Sequence, residues 1–182
     1  MADPEPTVPG PSQPAAPLLL PRLGRAERRL PAPLTSFVGR ECEIAAVATA
    51  LRRPDVRLLT LTGPGGVGKT RLAIAVAGRA AEDFADGAVF VDLAPLRDPA
   101  LVLPTIAGRL GLDERDPTPL TARLATSLHG KELLLVLDNF EHLVAARDTL
   151  LGLLESCPRL TVLATSRAAL RVRGEREYRV AP

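Results

Sequence analysis

The segment Gly63–Thr70 constrains the fold of this chain more than any other part of the sequence. It matches the pattern G-x-x-x-x-G-K-[ST] at every fixed position. The apolar, β-branched run Val56–Thr62 precedes it, as expected of a buried parallel strand, and Leu72 and Val76 follow at helical spacing. A chance glycine-rich turn is the alternative, but it would not require these flanks. The sequence therefore predicts a phosphate-binding loop between a strand and a helix.

Such a loop binds phosphate because its glycines let several backbone N–H groups converge beside the positive end of a helix dipole. Lys69 is predicted to reach the β- and γ-phosphates, and the Thr70 hydroxyl to ligate Mg²⁺. Guanine recognition normally needs an N-K-x-D element, and neither lysine of the chain, Lys69 or Lys131, lies in one. We therefore predict ATP/ADP and Mg²⁺ as ligands. The predicted nucleotide contacts in this segment are Gly63, Gly65, Gly66, Val67, Gly68, Lys69, Thr70 and Arg71.

Length and composition limit what surrounds the loop. With 182 residues, 46% of them hydrophobic, the chain has room for one domain and an appendage. The net charge of +2 gives no case for a nucleic-acid or membrane partner. Cys42 and Cys157 have neither disulfide-framework nor zinc-site spacing, and the apolar run Leu18–Leu20 is too short for a signal peptide or a membrane span. A cytoplasmic protein is the simplest interpretation.

Residues 1–33 differ in composition from the rest of the chain. They hold nine of the 18 prolines without sustained periodicity, so we predict a disordered Pro-rich tail; a proline-rich ligand is the alternative. From 34 to 182 strands and helices alternate, which predicts an α/β fold: a P-loop NTPase three-layer sandwich with a parallel sheet of about five strands. The predicted strands are 56–62, 88–93, 132–137, 160–165 and 177–180. The predicted helices begin near 41 and 70 and span 98–110, 118–128 and 141–155, with Asp98-Pro99 and Thr118-Pro119 as caps.

Asp138 ends the most apolar strand, Leu-Leu-Val-Leu-Asp, where a triphosphate site places its metal carboxylate. Capping of the next helix is the alternative role, and we predict the magnesium role. Many ATPases carry an acid at the following position to deprotonate water, but this chain has Asn139, whose amide cannot accept a proton. Glu141 could act as the base or only favour its helix. Both interpretations stay open, so the sequence supports binding more firmly than turnover.

Arg167 follows the fourth predicted strand, in the sequence Thr-Ser-Arg. The carboxyl ends of parallel strands converge over the ligand crevice of such a sheet. An arginine there can contact the γ-phosphate and so distinguish ATP from ADP. We predict this sensing role for Arg167 and keep a plain surface arginine as the alternative.

Five segments together resemble the nucleotide-binding module of STAND regulators, the class with NB-ARC-like and AP-ATPase domains. They are Leu34–Glu41, the phosphate loop, Phe90–Leu93, Leu135–His142 and Ala164–Arg167. The resemblance covers residues 34–182 and is to the module found in large actinobacterial transcriptional regulators of the LuxR and SARP types. It implies that Val38 and Arg40 lie at the adenine. It also implies a switch, in which ADP holds a closed form and exchange for ATP licenses oligomerisation and signalling.

That family continues into a helical subdomain, a winged helix and sensor repeats, and no helix-turn-helix is visible in this chain, so no direct nucleic-acid binding is expected of it. A truncated gene product, a fragment and one piece of a split system are the open interpretations. We predict a regulatory ATP/ADP-binding switch module with slow Mg-dependent hydrolysis at most. Its expected partners are other copies of itself or other domains of a larger regulator. A free-standing ATPase with genuine turnover and a truncated module with impaired binding are the alternatives.

Overall fold

Five parallel strands form one sheet in the computed structural model, which describes residues 30–31, 39–113 and 115–182. The strand order is β2-β3-β4-β1-β5, so β4 lies between β1 and β3. The fold class predicted from the sequence is thereby confirmed. The strands are β1 (Leu58–Thr62), β2 (Ala88–Asp92), β3 (Leu133–Asp138), β4 (Leu160–Ser166) and β5 (Glu175–Arg179).

Helices connect β1 to β2, β2 to β3 and β3 to β4, because each parallel crossover must return the chain to the same end of the sheet, whereas residues 167–174 join β4 to β5 without a helix. The helices are α1 (Glu41–Leu51), α2 (Lys69–Ala80), α3 (Val102–Leu110), α4 (Leu120–Leu128) and α5 (Arg147–Ser156). Short 3₁₀ turns lie at Ala81–Asp83, Pro99–Leu101, Phe140–His142 and Val144–Ala146.

Two apolar clusters cover the two faces of the sheet. Alternate residues of β3 divide between them: Leu133, Leu135 and Leu137 face α3, α4 and α5, whereas Leu134 and Val136 face α1 and α2. A strand buried on both faces is apolar throughout, which explains why β3 is the most apolar segment of the chain. The result is the three-layer sandwich predicted from the sequence.

Two predicted helix starts were wrong. The helix expected from Glu141 begins only at Arg147, because two consecutive 3₁₀ turns occupy residues 140–146 and bury Phe140 and Leu143 in the core. The helix expected from Thr118 begins at Leu120 without a side-chain cap. In contrast, Asp98 does cap the 3₁₀ turn Pro99–Leu101 that leads into α3, since its carboxylate accepts from the Ala100 N–H at 2.9 Å.

One residue before the predicted start of the folded domain contacts the core. Leu30 lies before the predicted start at Leu34, yet it is half-buried and packs against the cluster beneath α1 and α2. The rest of the predicted tail, and Val38, lie outside the described residues. Within those residues, none of the helices is both long and apolar enough to cross a membrane.

Candidate nucleotide-binding site

The phosphate loop joins β1 to α2 at the carboxyl end of the sheet, as predicted. Gly63 has a φ of 151°, and a Cβ built there would lie 2.9 Å from the Val180 carbonyl oxygen. Gly68 caps α2 with a φ of 89°, in the left-handed region that side chains disfavour. Both positions therefore require glycine: the first because the segment after β5 approaches closely, the second because the chain turns sharply into the helix.

Lys69 is held at the centre of this loop. Its side chain is nearly buried, and Nζ donates to the carbonyl oxygens of Gly63 at 2.8 Å and Pro64 at 2.9 Å. An ammonium group that donates to the loop's own carbonyls lies inside the curl of the backbone. Lys69 therefore places a positive charge within the phosphate loop.

Asp138 lies beside the first turn of α2. The Thr70 hydroxyl donates toward its carboxylate, with distances of 2.8 Å to Oδ1 and 2.9 Å to Oδ2. The Thr165 hydroxyl, at the end of β4, donates to Oδ1 at 2.6 Å. The structure thus brings together Thr70 and Asp138, the two residues predicted to hold Mg²⁺.

Burial raises the pKa of the Asp138 carboxyl above its ordinary value. The hydrogen bonds from Thr165 and Thr70 act in the opposite direction, while the charges of Asp92 and Glu141 raise the pKa further. The folded protein therefore holds a proton at Asp138 more readily than the unfolded chain, so this group reduces stability as the pH rises through its folded pKa. A cation beside it would favour the charged form.

Asn139 has an unusual backbone conformation and a side chain already engaged. Its φ is 63°, and its Nδ2 donates to Asp138 Oδ2 at 3.0 Å. Its backbone N–H donates to Thr165 Oγ1 at 2.9 Å. Asn139 therefore supports the Asp138 carboxylate, a contact that the sequence analysis did not anticipate.

Glu141 and Arg167 contact each other. Arg167 Nε donates to Glu141 Oε1 at 3.2 Å, and the arginine side chain is 71% exposed, against 23% for the glutamate. Glu141 Oε2 is buried without a hydrogen-bond partner among the described residues. Glu141, predicted as the rival base, and Arg167, predicted as the phosphate sensor, thus form one ion pair.

Two of the clefts at this carboxyl edge of the sheet lie beside Arg167. One, of about 640 Å³, lies between the phosphate loop and the segment after β4 and includes Gly63, Pro64 and Arg167. The other, of about 550 Å³, includes Glu141, His142 and again Arg167. Arg167 therefore borders both spaces, next to the loop that is predicted to hold phosphate.

The other predicted nucleotide contacts differ in their surroundings. Arg40 donates from Nη1 to Glu43 at 3.1 Å and from Nη2 to the Ala181 carbonyl at 2.9 Å, which ties the start of α1 to the segment after β5. Arg71 is exposed in the first turn of α2. Val38 lies outside the described residues, so its predicted place at the adenine stays a prediction.

Thr165 belongs to the site, although the sequence did not predict a role for this residue. It is fully buried, donates to Asp138 and accepts from the Asn139 N–H. The available signal was a hydroxyl residue at the end of an apolar strand. The hydrogen bond from Thr165 to Asp138 could not be predicted, because it depends on β4 lying beside β3. The order of the strands along the chain does not reveal which strands are neighbours.

Comparisons with known proteins agree with this architecture. The sequence matches the family described as AAA domain over residues 53–178. An uncharacterized protein of Mycobacterium tuberculosis is 38% identical over 167 residues, which cover 91% of this chain and 42% of the relative. A putative HTH-type transcriptional regulator of the same species is 45% identical over 125 residues, covering 68% of this chain and 14% of the regulator.

A solved structure shows the same fold. The Cdc6p protein from Pyrobaculum aerophilum superimposes with a TM-score of 0.53 at 17% identity, over 86% of this chain and 48% of that one. The chain spans less than half the length of the mycobacterial relatives that it matches.

Proposed function

The chain belongs to the AAA domain family, and from that premise we propose that it is an ATP/ADP-binding regulatory switch module of the STAND type. The observation that carries this proposal is the group formed by Lys69, Thr70 and Asp138. The lysine lies in the loop, and the threonine hydroxyl lies within 2.9 Å of both carboxylate oxygens. A phosphate chain on the loop would meet the ammonium and the backbone N–H groups together.

The donor set at the end of β3 suits Mg²⁺. A hydroxyl and a carboxylate are hard oxygen ligands, and Mg²⁺ in triphosphate sites is held by one or two protein groups together with phosphate oxygens and water. No group of three His, Cys, Asp or Glu residues within 30–31, 39–113 and 115–182 is arranged to hold a metal by itself. We propose Thr70 and Asp138 as the ligands. A bound Mg²⁺ would offset the charge of the β- and γ-phosphates.

We propose slow hydrolysis at most, because the residue after Asp138 is an amide and Glu141, the rival base, is in an ion pair with Arg167. The Asn139 amide cannot accept a proton and already donates to Asp138. The Oε1 atom of Glu141 accepts from Arg167. An enzyme with genuine turnover is the second candidate. A steady-state phosphate-release assay distinguishes the two, since turnover on the order of 1 s⁻¹ or faster would favour the enzyme.

The regulatory part of the proposal is supported by the relatives and by their lengths. A longer mycobacterial relative is named as a transcriptional regulator, and this chain matches only 14% of it. We propose that the module binds nucleotide for such a larger regulator and that the partners of the module are other domains or second copies. Arg167 would sense the γ-phosphate, Arg71 would border the phosphates, and Arg40 with Val38 would lie at the adenine, as the resemblance implies.

The test compares the two lysines of the chain. Lys69→Ala should lower the affinity for both ATP and ADP by roughly 30-fold or more, because it removes a desolvated charged contact. Lys131→Ala, at the opposite end of the sheet, should leave both affinities unchanged. Calorimetric titration measures the affinities, and thermal melting checks that the variants fold. If Lys69→Ala does not fold, Lys69→Met, which keeps the apolar part of the side chain, replaces it. Unchanged affinity in a folded Lys69 variant would refute the phosphate-loop assignment.

A further inference from the structure

Arg167 has two places to which its guanidinium can turn. It borders the cleft that contains Gly63 and Pro64 of the phosphate loop, and it borders the cleft that contains Glu141. Its side chain is long and 71% exposed, so changes of rotamer meet little steric resistance. In the structure the guanidinium lies on the Glu141 side, with Nε donating to Oε1 at 3.2 Å.

Glu141 is the fixed member of this pair. It lies in the 3₁₀ turn Phe140–His142, whose first residue is fully buried. The ring nitrogen Nε2 of His142 lies 2.9 Å from the Leu96 carbonyl oxygen, which anchors the other end of the turn. When the pair separates, the exposed arginine moves and the anchored acid stays.

The ion pair between Arg167 and Glu141 is also weak enough for a phosphate group to replace Glu141. Exposed ion pairs contribute little, because water screens them and both side chains lose freedom. Glu141 Oε2 has no hydrogen-bond partner among the described residues, so Arg167 satisfies only half of this carboxylate. A terminal phosphate carries more charge than a carboxylate and offers three acceptor oxygens to a guanidinium.

We propose that Glu141 is a positioning residue that holds Arg167 away from the phosphate loop and thereby lowers the preference of the site for ATP over ADP. The inference rests on the proposed function, because the competitor is the terminal phosphate of ATP on that loop. Binding of ATP must release Arg167 from Glu141 before the arginine can reach the phosphate. ADP lacks that phosphate, so its binding leaves the pair in place.

The experiment measures ATP and ADP affinities of the purified chain with Mg²⁺ by calorimetry. Glu141→Gln should raise the ATP affinity about two- to fivefold, the range expected for release of an exposed ion pair, and leave the ADP affinity unchanged. Arg167→Ala should remove the preference for ATP. In the Arg167→Ala background, Glu141→Gln should then change neither affinity.

A matched control separates this competition from a general loss of negative charge. Asp92 also raises the pKa of Asp138 through its charge but lies on β2, and its Oδ1 accepts from the Ala94 N–H at 2.9 Å, a bond that Asn can keep. Asp92→Asn should shift ATP and ADP affinities together. Glu141→Gln shifting both nucleotides in the same way, or retaining its effect without Arg167, would overturn the inference and leave the proposed function intact. Failure of the unmodified chain to bind either nucleotide would overturn both.

Discussion

The two ends of the parallel sheet use charged residues differently. At the amino end, arginines are paired with acids or carbonyls: Arg52 lies 2.7 Å from Asp83, Arg159 lies 2.7 Å from Glu132, and Arg57 donates to the Leu160 carbonyl at 2.7 Å. At the carboxyl end, the partners of Lys69 among the described residues are backbone carbonyls of its own loop, and Asp138 is held by hydroxyl and amide donors.

This difference indicates that charged residues at the amino end act mainly in stability, whereas those at the carboxyl end act mainly in ligand binding. A charged side chain that joins separate elements of the fold, as Arg57 joins the end of α5 to the start of β4, contributes to stability. The Asp138 carboxylate, whose pKa is raised, gains from a ligand that brings a cation, and the Lys69 ammonium gains from a ligand that brings negative charge. Substitutions at the amino end should therefore change stability, and those at the carboxyl end should change affinity.

The largest effect is expected at Asp138. Asp138→Ala should weaken ATP binding by roughly 30-fold or more in the presence of Mg²⁺ and remove its dependence on Mg²⁺, because the carboxylate contact to the metal is deleted. Calorimetric titration with and without Mg²⁺ measures both. Asp86→Ala is the matched control at the amino end, where Asp86 accepts from the Glu132 N–H at 2.9 Å. Retained Mg²⁺ dependence in Asp138→Ala would remove this residue from the metal site.

The opposite pattern is expected at Arg57. Its guanidinium donates to the carbonyls of Leu160, Leu154 and Cys157, which joins the end of α5 to the start of β4. Arg57→Ala leaves these carbonyls without their charged donor and should cost about 2–4 kcal/mol of unfolding free energy. Nucleotide affinity of the folded variant should not change. A loss of affinity without a loss of stability in urea titrations would contradict the division between the two ends.

A third prediction separates two buried threonines of neighbouring strands. Thr165→Val removes the hydroxyl that donates to Asp138 and accepts from the Asn139 N–H, and should cost about 1–3 kcal/mol. Thr60 is equally buried, but its Oγ1 has no hydrogen-bond partner among the described residues. Thr60→Val should therefore be neutral or slightly stabilising. Equal losses in urea titrations of the two variants would mean that the Thr165 contacts contribute nothing.

These residues also show how far the sequence alone could lead. The alternation of apolar strands and helices determined the fold class. The phosphate loop with its flanks identified Lys69 and Thr70 as candidate site residues, and the apolar strand that ends in Asp138 identified that residue. Those inferences use local patterns. The contacts of Thr165 with Asp138 and of Arg167 with Glu141 join β4 to β3 and to the turn after it, and they depend on which strands are neighbours. Sequence periodicity carries no such information.

Local competition explains the failed helix prediction after β3. Glu141 begins a segment with helical spacing, but Asn139 takes a positive φ and redirects the chain, and Phe140 and Leu143 enter the core through 3₁₀ turns. Burial of these two side chains outweighs the preference for a longer helix. The same turn sets Glu141 beside Arg167, so the deviation from the sequence pattern lies at the candidate site.

The smallest effect is expected at Leu30, which tests whether an apolar contact near the carboxyl end also belongs to the binding site. Leu30 is half-buried and borders a cleft with Phe90 and Asp92 at the end of β2. Leu30→Ala should cost about 1 kcal/mol and lower Tm by roughly 2–4 °C. Leu101→Ala is the matched control, since that leucine is 45% exposed and should lose almost nothing. Nucleotide affinity should stay the same in both variants, because neither contact involves charge. A change of more than about threefold in the nucleotide affinity of Leu30→Ala would place this segment in the binding site. The difference between the two ends of the sheet would then hold only for their charged residues.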